Sequence, residues 1–175
     1  MNKNNLFSSL TLLGLFVFSS CNLDLAPEDT LSPKTYFKNG PQLELWTNHF
    51  YSLFPDVDDL AKQNADDNIS SELGETLMGQ RSAASENGWT WERLRDINYY
   101  LQHSNQCPDE HVRKQYDGVA YFFRAYFYFD KVKRYGDVPW YDQVLNSNDD
   151  KLLAKPRQDR EIIMDSVMQD LDKAI

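Results

Sequence analysis

The stretch Val119-Ala-Tyr-Phe-Phe-Arg-Ala-Tyr-Phe-Tyr-Phe129 decides the fold, because it contains a single charged residue, Arg124. At 3.6 residues per turn its apolar side chains cover every side, which predicts a helix surrounded by other helices. Pro108-Asp109-Glu110 suits the start of this helix, and Gly136 suits its end. The aromatic residues also suggest a strand, but the pattern runs too long for one. Asp117 and Arg124 argue against a membrane span.

Three further amphipathic helices are predicted on either side of this central helix. Each has apolar residues three or four positions apart and a suitable first residue or cap: Pro41, Thr90 and Asp159. The three apolar stripes are Leu43, Trp46, Phe50 and Leu53; Trp91, Leu94, Ile97 and Leu101; and Ile163, Val167, Leu171 and Ala174. Residues 55–90 and 142–158 are polar and read as long irregular loops. The expected fold is therefore mostly all-α, with tetratricopeptide-like helix pairs.

The first 21 residues have the layout of a lipoprotein signal. Lys3 precedes an apolar run from Leu6 to Phe18, and small residues then lead to Cys21. The run is too short for a spanning helix, which needs roughly 20 residues. We therefore expect residues 1–20 to be a signal peptide and Cys21 to carry covalent diacylglycerol and acyl lipid. The alternative is an ordinary secreted protein in which Cys21 is incidental.

The charge balance restricts the partners of the chain. Its formal net charge is −9, and loss of Lys3 with the signal leaves about −10. This disfavours nucleic acid and anionic membrane surfaces, and it favours neutral or cationic ligands or a protein partner. If Cys21 is acylated, Cys107 has no intramolecular partner, and no neighbouring basic residue activates its thiol.

Catalytic and metal-binding patterns are not evident in the sequence. The histidines lack the spacing of a zinc site, and the acidic cluster of residues 56–67 lacks the order of a calcium loop. There is no nucleophile elbow, phosphate loop or dinucleotide fingerprint. Adjacent acidic pairs such as Asp58 and Asp59 do not provide the separation that a glycosidase needs. We therefore expect neither an enzyme nor a metal site or cofactor.

The candidate ligand-binding residues are aromatic and polar side chains near the polar loop. Aromatic residues number 24 of 175, and an aromatic ring matches the apolar face of a sugar. Trp89 and Trp91 share a side if their backbone is extended, although burial of Trp91 in its helix stripe is the stronger alternative. Arg81 and Asn98 offer hydrogen bonds to sugar hydroxyls, and for each the alternative is a surface or capping role.

Five motifs follow one another along the chain in the order found in a known family: Cys21-Asn-Leu-Asp-Leu-Ala-Pro27, Trp91-Glu-Arg-Leu-Arg-Asp-Ile97-Asn98, Phe123-Arg-Ala-Tyr-Phe-Tyr-Phe129, Tyr135-Gly-Asp-Val-Pro139 and Asp170-Leu-Asp-Lys-Ala-Ile175. Together they resemble the SusD/RagB-like outer-membrane lipoproteins. The resemblance divides the chain into a signal peptide (1–20), a lipid-anchored tether (21–40) and an N-terminal SusD-like helical domain (41–175). Because the last helix still runs at Ile175, we expect this to be the incomplete N-terminal part of a larger SusD-like fold.

The resemblance implies a nutrient-binding lipoprotein at the cell surface, held on the outer membrane by its lipid. Such proteins bind oligosaccharide and work with a SusC-like TonB-dependent porin in its uptake, without catalysis. The alternative is a helical-repeat scaffold at the outer membrane that binds a porin or another protein without binding sugar.

Overall fold

The structure is a computed structural model that describes residues 35–57, 78–80 and 88–175. The chain divides into two units, Met1–Thr35 and Tyr36–Ile175, and all described residues except Thr35 lie in the second. The signal peptide, Cys21, Arg81 and most of the polar loop 55–90 lie outside the described residues.

Five α-helices make up the regular structure of the described residues. They are α1 (Gly40–Asn48), α2 (Glu92–His103), α3 (Glu110–Tyr135), α4 (Asp150–Leu153) and α5 (Arg160–Ala174). Two 3-10 helices, His49–Leu53 and Ser104–Gln106, continue α1 and α2. In these segments the only strand-like pairing is an isolated antiparallel bridge between Val138 and Gln158. The predicted all-α fold class is thus confirmed, while the tetratricopeptide geometry of the helix pairs stays a prediction.

The caps of α3 and α5 are those that the sequence predicts. The Asp109 side chain accepts a hydrogen bond from the Val112 N–H, and the Asp159 side chain accepts one from the Glu161 N–H. These bonds satisfy N–H groups that have no partner within the helix. Gly136 ends α3 with a φ of 71°, a left-handed conformation that favours glycine. The chain can therefore leave α3 abruptly and turn back toward α2.

Helix α3 is the centre of the fold and contributes to two apolar clusters. Ala120 and Phe123, near its middle, join a cluster that also includes Phe50 of the 3-10 helix His49–Leu53 and Tyr100 of α2. Its second half supplies Ala125, Phe127 and Tyr128 to a cluster with Leu94, Val138, Ile163 and Val167. Helices α1, α2 and α5 all pack against α3, and the packing against α5 is the most extensive. The sequence-predicted central helix is therefore confirmed in position and extent.

One side of α3 differs from the prediction that other helices surround it. Phe122 and Phe129, seven residues apart, are 39% and 44% exposed. Positions seven apart lie on one face of a helix, so a single stripe of α3 remains uncovered by the described residues.

One local prediction also needs correction, and the burial of three further residues was not predicted. Thr90 does not cap α2, because the N-cap residue is Trp91 and it makes no side-chain capping bond. Tyr36 and Phe37 lie in the buried core, and the second compact unit begins at Tyr36, five residues before Pro41. Cys107 is buried in the same apolar cluster despite its polar sequence neighbours.

Candidate functional site

Two tryptophans line one side of a cavity at the start of α2. Trp91 is the N-cap residue of this helix, and Trp89 lies two residues earlier on irregular backbone. Their rings meet edge to face with centroids 5.2 Å apart, and the Trp89 ring meets Tyr135 at 4.8 Å in the same way. Trp91 also contacts Tyr141 at 5.5 Å. Both tryptophan rings therefore border the same cavity.

The segment after α3 forms a second wall of the cavity, and the buried hydroxyl of Tyr128 fixes it. The Tyr128 hydroxyl donates to the Tyr141 carbonyl at 3.2 Å and accepts from the Tyr141 N–H at 2.5 Å. The Tyr128 ring also stacks on Trp140 at 4.1 Å. Burial raises the pKa of the Tyr128 hydroxyl, which keeps it a neutral donor. The backbone at Tyr141 is thus held by both of its polar groups.

Asn98 fixes the same wall from α2. Its side-chain N–H groups donate to the carbonyls of Tyr141 at 3.0 Å and Gln143 at 3.2 Å. Its side-chain oxygen accepts from Arg124 Nη1 at 3.1 Å. Arg124 in turn makes a bidentate ion pair with Asp170, through Nε at 2.6 Å and Nη2 at 2.7 Å. A buried polar network running from α5 through α3 to α2 therefore positions the cavity wall.

The cavity between these walls has a volume of about 640 Å³ and opens to solvent. This size falls within the range of small-molecule sites. Aromatic and aliphatic side chains supply most of its surface, and charged and amide groups surround them. Its lining residues are Trp89, Trp91, Glu92, Leu94, Arg95, Asn98, Pro139, Tyr141, Gln143, Leu145, Leu153, Lys155, Pro156 and Arg157.

The sequence-predicted site residues fall into three groups. Trp89 and Trp91 both line the cavity; Trp89 is 39% exposed, and Trp91 is largely covered by Phe127, Tyr128 and Tyr141. Asn98 also borders the cavity, but it is 2% exposed and its amide atoms already bond protein groups. Its role here is to hold the wall. Arg81 lies outside the described residues.

Sequence reasoning missed Tyr141, Arg95, Lys155 and Arg157 as lining residues. Tyr141 follows the Tyr135-Gly-Asp-Val-Pro139 motif closely, so the motif was the available signal for it. Arg157 lies in a stretch that reads as a solvated loop, yet its guanidinium lies over the Trp89 ring at 4.7 Å. No sequence pattern relates residue 157 to residue 89, because their contact depends on the tertiary fold.

Across residues 35–57, 78–80 and 88–175, no group of three or more His, Cys, Asp or Glu side chains is placed to hold a metal ion. Within the same segments no helix is both long enough and apolar enough to cross a bilayer.

Fold and site together define an all-α protein with an open aromatic cavity between the start of α2 and the segment after α3. No protein-family profile matches the chain. A SusD-like protein of Formosa agariphila is 26% identical over 206 aligned positions, which cover 98% of this chain and 37% of that protein.

A solved SusD-like protein of Bacteroides fragilis matches the fold with a TM-score of 0.69 and 24% identity. The match covers 85% of this chain and 31% of that structure, so the chain spans about a third of the length of both relatives. The resemblance to the SusD/RagB-like family that the motifs indicate is therefore confirmed, and the fold is SusD-like.

Proposed function

We propose that this chain is part of a glycan-binding lipoprotein of the cell surface that works with a SusC-like TonB-dependent porin in oligosaccharide uptake. The cavity lined by Trp89, Trp91 and Tyr141 is the observation that carries the proposal. The similarity to SusD-like proteins supports it. Lipidation of Cys21 would hold the protein on the outer membrane, beside the porin.

The lining chemistry suits a sugar. Trp89 presents a half-exposed ring, and aromatic faces contact the apolar C–H face of a pyranose. Gln143, Glu92 and Arg95 border the same cavity and offer hydrogen bonds to hydroxyl groups. Such a combination of apolar walls and a few polar groups is typical of small-molecule sites.

The same lining favours binding without catalysis. Glycoside hydrolysis commonly needs two carboxylates on opposite sides of the scissile bond. Among the described lining residues Glu92 is the only carboxylate. The proposed activity is therefore capture of the oligosaccharide for transport.

Replacing Trp89 with Ala tests the proposal. Trp89 leaves 39% of its surface exposed in the cavity. For a tryptophan that is roughly 100 Å², and covering about four fifths of it with sugar at about 25 cal/mol per Å² contributes about 2 kcal/mol. Trp89→Ala is therefore expected to weaken glycan affinity about thirtyfold. The measurement is calorimetry on the protein as the cell expresses it, with a ligand chosen from a polysaccharide panel.

Phe129→Ala is the matched control, because Phe129 is 44% exposed and is not among the lining residues of the cavity. Its affinity is expected to equal that of the unaltered protein. Equal affinity for all three proteins, or no binding across the panel, would count against the proposal.

The alternative function, a helical scaffold that grips a porin or another protein without binding sugar, has one specific observation in its favour. Tyr51, Phe54 and Phe122 are 39% to 53% exposed, and Phe54 contacts both Tyr51 and Phe122. Exposed contiguous apolar surface commonly marks a protein interface. Co-purification with an outer-membrane barrel, together with no glycan retention, would favour this alternative.

A further inference from the structure

The cavity has a local charge opposite to that of the chain. The chain carries a formal net charge of −9, yet the described lining residues include three cations, Arg95, Lys155 and Arg157, and a single carboxylate, Glu92. Clefts lined by one sign of charge concentrate the field and raise the local concentration of the opposite charge. Net charge alone favours neutral or cationic ligands, whereas the described lining of this cavity carries a net positive charge.

The three cations are placed by neutral groups. The Arg157 guanidinium lies over the Trp89 ring at 4.7 Å, Lys155 Nζ donates to the Trp140 carbonyl at 3.1 Å, and Arg95 Nη1 donates to the Leu145 carbonyl at 3.4 Å. Among the described residues none of the three forms an ion pair with a carboxylate. Within this part of the chain no carboxylate lies at ion-pair distance from the three charges, although Asp96 is close enough to Arg95 to interact with it electrostatically.

Arg157 has the geometry of an anion-binding group. Its guanidinium contacts Trp89 and is otherwise exposed, so N–H groups at its edge are free to donate. A guanidinium binds a carboxylate or a sulfate through two parallel hydrogen bonds, and stacking on an aromatic ring holds its plane in place. Arg157, which would bind an anionic substituent, therefore lies against Trp89, which would contact a sugar ring.

We propose that the cavity takes an anionic glycan, one whose sugar rings carry carboxylate or sulfate groups. Arg157 binds the anionic group, Arg95 and Lys155 add favourable potential, and Trp89 contacts the ring of the same or the next sugar. This inference rests on the proposed function, since it names the class of glycan for the same site.

Binding to matched pairs of oligosaccharides tests the inference. The probes form an array in which every uronate-bearing member has a carboxyl-reduced counterpart and every sulfated member has a desulfated one. At least one anionic member is expected to bind the full-length protein at least tenfold more tightly than its neutral counterpart. That preference should shrink as salt rises, because screening weakens ion pairs. The two kinds of pair show whether carboxylate or sulfate is the group recognised.

Arg157→Gln should reduce the affinity for the anionic member about tenfold and change that for its neutral counterpart by less than threefold. Lys114→Gln is the charge-matched control, since Lys114 is an exposed residue paired with Glu110 and is not among the lining residues of the cavity. It should leave both affinities unchanged.

Two outcomes would overturn the inference, and only one of them also refutes the proposed glycan binding. Equal or tighter binding of the neutral counterparts, with no effect of Arg157→Gln, refutes the anionic preference and leaves the proposed glycan binding intact. Absence of binding to every member of the array refutes both.

Discussion

Replacing Asp170 with Asn probes the buried network that supports the cavity wall. Asp170 and Arg124 form a bidentate ion pair, and their side chains are only 1% and 6% exposed. Asn has nearly the same volume as Asp, so the change removes the charge without creating a cavity. Arg124 then remains buried with no carboxylate to compensate it. Removing one partner of such a pair destabilises a protein by about 3 to 5 kcal/mol.

Urea denaturation followed by tryptophan fluorescence measures this loss. At a slope of about 2 kcal/mol per M, the midpoint is expected to fall by roughly 1.5 to 2.5 M. Asp165→Asn is the control on the same helix, because Asp165 is exposed, and its effect should stay within about 0.5 kcal/mol. The double variant Arg124→Met with Asp170→Leu should lose less stability than the two single changes summed, since neither charge is then stranded.

The Asp170→Asn substitution should also affect ligand binding in the cavity. Arg124 donates to the Asn98 side chain, which holds the carbonyls of Tyr141 and Gln143. A weakened network is therefore expected to lower glycan affinity as well as stability. A urea midpoint within about 0.3 M of that of the unaltered protein would refute the reasoning. At a slope of about 2 kcal/mol per M, that shift corresponds to a loss of unfolding free energy below about 0.6 kcal/mol.

Two further predictions concern the buried Tyr128 and the half-buried Asp117. Tyr128→Phe removes the hydroxyl that bonds the Tyr141 N–H and carbonyl, and it should lower the free energy of unfolding by about 1 to 2 kcal/mol in urea. Burial raises the pKa of the Asp117 carboxyl, so ionisation of this group destabilises the folded state. This destabilisation is absent below the unfolded-state pKa and grows as pH rises through the folded-state pKa. Asp117→Asn should therefore unfold at higher urea than the unaltered protein at pH 7, and this difference should vanish as the pH is lowered toward 4; a constant difference would contradict it.

The helices were predictable because their signals are local. Asp109 and Asp159 each cap the helix that follows, and the apolar stripe of α5 points where periodicity places it, with Ile163 and Val167 buried. The exposed stripe of Phe122 and Phe129 was missed because a helix that is apolar on all sides does not indicate which side faces solvent. Burial of Cys107 was missed for a related reason, since polar sequence neighbours do not determine where a single side chain points.

The candidate site was predictable only in part. Trp89 and Trp91 were singled out because they are close in sequence and flank a polar loop. Arg157 and Tyr141 reach them across more than 40 residues, and such contacts depend on how α3 and the segment after it pack. The sequence also did not show the role of Asn98. Its residue type suits ligand binding, but in the fold its amide already bonds Tyr141 and Arg124.

The most direct measurement of the central claim is a crystal structure of the protein bound to the oligosaccharide that it retains most tightly. Glycan binding in this cavity predicts a sugar ring against Trp89, with its substituents within hydrogen-bonding distance of Arg157 and Gln143. A sugar bound elsewhere, with the cavity beside Trp89 and Trp91 empty, would contradict the account.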